Sequence, residues 1–254
     1  MANTGTYVYA VASGAIPSSF RARAVGGRRG AVRIVRAGPL GAVVSDAPRD
    51  AVALNRENLH AHSETLQELL ETASAVVPIQ FGTVFPDDAA VRNDLLSRTT
   101  ELNRLLDRVD NRVEFRLKTF YVEDVVLTEL LAEDRRVREL QTRTRGLSPD
   151  AAYYDRIQLG ELIAAGLAAK RAGDGKTIVR RLAAIAVDHV VDEPGSDWCV
   201  VAASFLVERS AARRFEAASR ELADGLGARA RIRCVGPLPP YSFVDMSLQP
   251  LAVA

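Results

Sequence analysis

The chain has 254 residues, of which 48% are hydrophobic and 26% charged, and its 33 Lys and Arg residues against 32 Asp and Glu leave a net charge of +1. This composition is that of an ordinary globular protein with a packed core, and the length suits one large domain or two modest ones. The near-zero net charge argues against a dedicated nucleic-acid-binding protein, because such proteins carry a clear basic excess.

The sequence predicts a cytoplasmic protein without a secretory signal or a membrane anchor. Residues 1–6 contain no basic segment of the kind that begins a signal peptide. The longest apolar run, residues 198–207, is about half as long as the stretch of ~20 residues that a membrane-spanning helix needs. The two cysteines, Cys199 and Cys234, are too few for a disulfide framework and do not have the spacing of metal ligands.

The first part of the chain alternates strands with amphipathic helices. Hydrophobic period and turn signals predict strands at 7–11, 31–35, 40–45 and 76–79, a helix at 50–73 with Asp50 as its N-cap, and a helix at about 95–109.

The helix at 50–73 carries an apolar stripe that includes Leu59 and His62. His62 is therefore predicted to be a core histidine with a hydrogen-bond partner, in preference to a catalytic residue.

The second part of the chain is predicted to contain, in order, a strand, a long helical block, two strands, a helix and a last strand. The predicted elements are a strand at 112–122, helices over about 123–188 with breaks near 146–149 and 173–175, a strand ending near 191, a strand at 198–207, a helix at 210–226 and a strand at 229–235. This order is the split βαβ pattern of a ferredoxin-like domain with extra helices in its first crossover.

We therefore predict a two-domain α+β fold. Residues 1–110 form an N-terminal α+β domain, and residues 111–254 form a modified ferredoxin-like domain with inserted helices at about 123–188. In such a sheet the strands that hold Cys199 and Cys234 flank the first strand, roughly 9 to 10 Å apart. Because a disulfide needs Cα atoms within ~7 Å, both cysteines are predicted to be free, buried thiols.

No motif for catalysis or for a cofactor is recognisable in the sequence. It contains neither the G-x-G-x-x-G fingerprint of a dinucleotide site nor the G-x-S-x-G elbow of a hydrolase. His60 and His62 are two residues apart, which on a helix points them to different sides, and no positioned nucleophile accompanies His189. These observations favour a protein that binds other proteins over an enzyme, with no metal and no cofactor.

An arginine-rich helical segment is one candidate for a protein-binding surface. It mixes Leu130, Leu131 and Leu140 with a set of five arginines: Arg135, Arg136, Arg138, Arg143 and Arg145. The arginines either contact a partner or only solvate the outer face of a helix, and the sequence leaves both interpretations open.

Motifs spread from one end of the chain to the other carry a family resemblance. The most specific are P-I-Q-F-G at 78–82 and the closing G-P-L-P-P-Y-S-F at 236–243. The motif residues are His62, Pro78, Phe81, Gly82, Glu114, Gly236, Pro237, Pro240, Tyr241 and Phe243. Together they resemble the gas vesicle proteins of the F/L family, although Gln80 and Leu238 stand where that family usually has Arg and Trp.

The resemblance implies a non-enzymatic accessory or minor structural protein of gas vesicles, located at the gas vesicle inside the cell. It implies contact with the small hydrophobic major shell protein during assembly and with other gas vesicle accessory proteins, without nucleic acid or membrane, and it implies a structural role for the motif residues. An exposed sheet edge or the arginine-rich segment could cover shell subunits and limit their aggregation. The alternative is a regulatory small-ligand-binding protein of ferredoxin-like fold, because this superfold carries many functions.

Overall fold

The chain forms two compact units in a computed structural model that describes residues 4–27, 32–49, 52–148 and 150–244. The first unit combines Met1–Glu114 with Gly236–Ala254, and the second is Phe115–Val235. Helices and antiparallel strands occur in both, so the fold class is α+β. This division groups residues 236–244 with the first unit, whereas the boundary predicted at residue 110 grouped them with the second.

The sheet of the first unit has the strand order β2-β3-β1-β4, and β5 also pairs with β1. Its strands are β1 Thr4–Ser13, β2 Arg33–Ala37, β3 Leu40–Pro48, β4 Ala75–Pro78 and β5 Val84–Phe85. Strand β1 lies in the middle and pairs antiparallel with β3, β4 and β5. Eight of its residues in succession, from Gly5 to Ala12, are buried, which explains why the strand carries no charge.

The helices of the first unit lie after β3 and after β5 in the chain. They are α1 Arg56–Thr72, α2 Asp88–Ala90, a π-helix at Val91–Leu96 and α3 Thr99–Val109. Asn55 caps α1, and its side-chain oxygen accepts a hydrogen bond from the Asn58 N–H. Asp50, the predicted cap, lies outside the described residues. The predicted stripe was wrong at Leu59, which is 44% exposed.

The sheet of the second unit has the strand order β7-β8-β6-β9. Its strands are β6 Arg112–Tyr121, β7 Asp188–Asp192, β8 Cys199–Glu208 and β9 Ala230–Leu238. Cys199 and Cys234 therefore lie on the two strands that flank β6, as the element order predicted, and both are free. Cys199 is buried, but Cys234 is only half-buried because β9 lies at the edge of the sheet; the prediction of two buried thiols was wrong for Cys234.

Four helices complete the second unit. They are α4 Glu123–Glu133, α5 Arg135–Thr144, α6 Tyr153–Ala183 and α7 Ala212–Leu226. The predicted break at 173–175 was wrong, because α6 runs through it. A Cβ at position 175 would lie 3.1 Å from the carbonyl oxygen of Val200 on β8. Gly175 therefore allows α6 to approach the sheet closely and does not end the helix.

Candidate functional site

Five of the residues that converge in the first unit form what we call the histidine cluster: Tyr7, His62, Phe81, Gly82 and Tyr241. They come from β1, α1, the loop after β4 and the closing segment of the chain. The Tyr7 hydroxyl lies 2.8 Å from His62 Nδ1, and the Tyr241 hydroxyl lies 2.7 Å from His62 Nε2. His62 is therefore hydrogen-bonded at both ring nitrogens by residues distant in the sequence.

The hydrogen bonds of the histidine cluster form a chain with one consistent direction. The Gly82 N–H donates to the Tyr7 hydroxyl at 3.3 Å, and the Tyr241 hydroxyl donates to the Ile79 carbonyl at 3.4 Å. Tyr7 is then free to donate its own proton to Nδ1 of His62, while Nε2–H donates to Tyr241. This assignment requires a neutral ring with its proton on Nε2, because one nitrogen accepts and the other donates.

Aromatic packing buries His62. Its side chain stacks on Tyr9 with ring centroids 5.6 Å apart and meets Phe81 edge-on at 5.6 Å. His62 is 5% exposed, and this burial lowers its pKa to about 4. Burial also raises the pKa of the Tyr7 hydroxyl above its ordinary value. At neutral pH the cluster therefore holds its protons in fixed places, which suits a structural hydrogen-bond network.

Glu114 ties the closing segment to the first unit. Its carboxylate is fully buried and accepts hydrogen bonds from the Ser242 N–H at 2.8 Å and from the Ser242 hydroxyl at 2.9 Å. A buried carboxylate is tolerated when such donors satisfy it. Glu114 therefore anchors the residue that follows Tyr241 of the histidine cluster.

The remaining motif residues border this region. Pro78 is buried at the end of β4, where it pairs with Ala10 of β1. Pro240 and Phe243 are buried in the closing segment, whereas Gly236 is half-buried and Pro237 is exposed on β9. The motifs that carry the family resemblance thus fall at two ends of the sequence and lie together in one unit.

Two arginines of the predicted set, Arg138 and Arg143, connect helices of the second unit. The Arg138 guanidinium donates to the Leu131 and Ala132 carbonyls, at 3.0 and 2.6 Å, where α4 ends. Carbonyls in the last turn of a helix have no partner within it, so this contact caps α4. Arg143 forms a two-point ion pair with Asp155 of α6, with the shorter contact at 2.6 Å. Both arginines therefore have structural partners.

The other three arginines of the set have local partners or none in the described part of the chain. Arg135 pairs with Glu139 one turn along α5 at 2.6 Å, and Arg136 pairs with Asp134, the N-cap of α5, at 3.2 Å. Arg145 is exposed just after α5 and forms no ion pair with a described residue. These three side chains are available to a partner without loss of a contact between helices.

A polar network in the second unit had no counterpart in the predictions. The Tyr121 hydroxyl donates to Asp174 at 2.6 Å, and Arg229 pairs with the same carboxylate at 2.9 Å. Lys170 pairs with Glu129 of α4 at 3.4 Å. Burial and the neighbouring Asp174 raise the pKa of Tyr121, so the hydroxyl stays a donor. The network joins α4 and α6 to the sheet.

The described residues also bear on ligands and membranes. Within them, no group of three His, Cys, Asp or Glu side chains could hold a metal ion. No helix in the described ranges is long and apolar enough to cross a membrane. A cleft of about 270 Å³ lies among α4, α5 and α6, lined by Asp124, Leu127, Thr128, Leu131, Gln141, Leu159 and Ile163.

Comparisons with known proteins identify the family. The family described as "Gas vesicle synthesis protein GvpL/GvpF" matches residues 5–245, so the chain belongs to that family. The resemblance drawn from the motifs is thereby confirmed.

Individual relatives cover nearly the whole chain. Gas vesicle protein F of Streptomyces sp. (strain CB03234) is 36% identical over 241 residues, which is 94% of this chain and 99% of the relative. Gas vesicle protein L of the same strain is 26% identical over 276 residues, which is 95% of this chain and 93% of the relative. The similarity is thus higher to the F protein than to the L protein of that strain.

Two solved structures share the fold. The crystal structure of GvpF from Anabaena sp. PCC7120 has a TM-score of 0.81 at 20% identity and covers 96% of this chain and 99% of its own. That of GvpF from Microcystis aeruginosa has a TM-score of 0.75 at 18% identity and covers 95% and 99%. At these identities the likeness establishes the α+β fold.

Proposed function

We propose that this chain is a non-enzymatic accessory or minor structural protein of gas vesicles that assists their assembly inside the cell. The family match over residues 5–245 carries the proposal, and relatives named gas vesicle proteins F and L support it. A non-enzymatic role is supported by His62 and Glu114, whose polar atoms are engaged in internal hydrogen bonds.

The proposed mechanism is protection of the hydrophobic major shell protein before it assembles. A subunit with an unpaired hydrophobic strand edge tends to aggregate. A protein that pairs with that edge, or covers the apolar surface, keeps the subunit competent for assembly. Other gas vesicle accessory proteins are the second class of partner that we propose.

Two surfaces of the second unit support this mechanism. The first is the edge strand β7, on which Val190 and Val191 are 39% and 53% exposed. The second is the arginine set on and after α5, of which Arg135, Arg136 and Arg145 do not join one helix to another. The strand can accept another strand by main-chain pairing, and the arginines can accept acidic groups.

We further propose that the second unit is a modified ferredoxin-like domain. The strand order β7-β8-β6-β9 supports this. When the four strands are numbered 1 to 4 along the chain, their order across the sheet is 2-3-1-4, as expected for a ferredoxin-like sheet. Helices α4, α5 and α6 fill the first crossover, and α7 fills the second.

The test is co-expression of the tagged full chain with the major shell protein, followed by a pull-down at low and high salt. One variant reverses Arg135, Arg136 and Arg145 to Glu. A second places Lys at Val190 and Val191, which protects an edge strand from pairing. A control variant reverses two arginines elsewhere, Arg104 and Arg108, to Glu; both are exposed on α3 of the first unit.

The outcomes separate the two surfaces. If the shell protein is recovered at both salt concentrations and the lysine variant abolishes this recovery, pairing at β7 is supported. If high salt abolishes recovery of the shell protein, and the arginine variant does the same, binding by the arginine set is supported, because salt screens exposed charges. Absence of the shell protein from every pull-down would contradict direct binding and leave a role through other accessory proteins.

A further inference from the structure

The two edge strands of the second unit carry exposed side chains of opposite charge. Asp192 ends β7, Glu193 follows it, and Arg231 and Arg233 lie on β9. All four are exposed, and none forms an ion pair with another residue in the part of the chain that the structure describes. Because β7 and β9 are the two ends of one sheet, one edge is acidic and the other is basic.

The Asp192 side chain of β7 points away from α7. His189 stacks on Phe205 with ring centroids 6.0 Å apart, and Phe205 in turn contacts Phe215 of α7 at 5.2 Å. His189 therefore lies on the face of the sheet that α7 covers. Since side chains alternate along a strand, Val190 and Asp192 both lie on the opposite face.

The basic side chains of β9 point to that same opposite face. The Cys234 thiol hydrogen-bonds to Ser219 of α7, so Cys234 faces the helix. Its neighbours Arg233 and Val235 lie on the other face, together with Arg231. Val235 is 41% exposed. Each edge therefore presents an exposed valine and a charge without an ion-pair partner among the described residues, and both lie on one and the same face of the sheet.

We infer that the partner of each edge is a second copy of this chain, with β7 of one copy paired along β9 of the next. An antiparallel register that sets Asp192 opposite Arg233 also sets Val190 opposite Val235. Cross-strand pairs of opposite charge and of β-branched residues stabilise a sheet, and like charges directly opposite destabilise it. Pairing of β7 with β7 or of β9 with β9 is disfavoured for that reason.

The contact uses two different surfaces of the chain, so it is heterologous. A copy joined through β7 still presents its own β9, and association continues past the dimer unless the arrangement closes into a ring. Pairing also removes two sheet edges that would otherwise be open to non-specific strand addition. The inference concerns the purified chain alone and is tested without the shell protein. A β7 edge that is paired with β9 of another copy cannot also pair with the shell protein, so the two contacts at β7 exclude each other.

The test is sedimentation velocity of the purified full chain over a range of concentrations. The wild-type chain is expected to form dimers and larger species as its concentration rises, less so at high salt. Asp192→Arg alone and Arg233→Asp alone each set like charges opposite one another. Each is expected to weaken self-association at least about tenfold, with an unchanged circular dichroism spectrum.

A mixture of the two variants gives the decisive measurement. In an equimolar mixture β7 of the Asp192→Arg variant can pair with β9 of the Arg233→Asp variant, so opposite charges meet again and association is expected to return. Matched controls are Glu161→Arg and Arg220→Asp, which make the same charge changes at exposed positions on α6 and α7 and should leave association at the wild-type level. A wild-type chain that stays monomeric, single variants that associate normally, or a mixture that stays monomeric would each overturn the inference.

Discussion

His62 must stay neutral for the hydrogen bonds of the histidine cluster to be satisfied. One ring nitrogen accepts from Tyr7 and the other donates to Tyr241, and a charged ring has no acceptor to offer. Burial also favours the neutral form of the ring, since it lowers the pKa of His62 to about 4. The geometry and the electrostatics of this residue therefore agree.

The first prediction concerns stability against pH. Above the ordinary histidine pKa of 6.5 both the folded and the unfolded chain hold a neutral ring. As the pH falls from there to about 4, the unfolded chain binds a proton that the folded chain excludes. Folding is then expected to lose about 3 kcal/mol of free energy through this residue alone, at 1.36 kcal/mol for each pKa unit. Urea unfolding at a series of pH values measures the loss.

Two variants isolate the contribution of His62 from that of the carboxylates, which also titrate in this range. His62→Gln should be less stable than wild type at pH 7 but should lose less stability between pH 6.5 and 4. His60→Gln is the matched control: that side chain is 72% exposed on the same helix, and the variant should follow the wild-type curve. Equal losses in wild type and His62→Gln would show that His62 titrates normally.

The sequence predicted the burial of His62 but none of its partners. Its place on an apolar stripe was visible locally, whereas Tyr7 and Tyr241 are 55 and 179 residues away. Glu114 and Tyr241 were identified only through the family resemblance. The arginine set shows the same limit, because the sequence cannot distinguish Arg138, which caps α4, from Arg135, which pairs within its own helix.

Among the secondary-structure elements, most strands were predicted well, but the continuity of helix α6 through residues 173–175 was not. Apolar runs and alternation located strands such as β6 and β8, because burial of a sheet face determines which residues a strand can carry. Two glycines close together suggested a break in α6, since each costs a helix about 1 kcal/mol relative to alanine. Packing of α6 against β8 outweighs that cost, and no local pattern reports such packing.

The second prediction follows from the difference between those glycines. Gly173 has open space around the position of a Cβ, whereas a Cβ at Gly175 would lie 3.1 Å from the Val200 carbonyl oxygen. Gly173→Ala is expected to stabilise the chain by about 0.5 to 1 kcal/mol through helix propensity. Gly175→Ala should instead destabilise the chain, because the Val200 carbonyl of β8 would have to move to make room for the Cβ.

Thermal unfolding of the two glycine variants beside the wild type measures the difference. Gly173→Ala should raise the melting temperature and Gly175→Ala should lower it. The variants make the same chemical change two residues apart in one helix, so each controls for the other. A higher melting temperature for both would mean that α6 can retreat from β8 at little cost.

On the scale of the whole molecule, residues 241–244 pack with the first unit although they follow the second unit in the chain. Tyr241 bonds to His62, Ser242 to Glu114, and Val244 packs into a core built on β1, β3 and α3. Neither the hydrophobic period nor the composition of the sequence indicates this packing, because both describe short stretches of chain. This is why the sequence assigned residues 236–243 to the second domain.

The third prediction tests where the closing segment belongs. Phe243 is 2% exposed in the first unit, and Phe215 is fully buried in the second. Substitution of a buried Phe by Ala costs about 3 to 5 kcal/mol, and local stability sets the rate of amide hydrogen exchange. Phe243→Ala should therefore speed exchange in β1 and α1, while Phe215→Ala should speed it in β8 and α7. Hydrogen exchange read by mass spectrometry resolves these elements. Faster exchange within 115–235 and unchanged exchange in β1 and α1 of the Phe243 variant would instead assign the closing segment to the second unit.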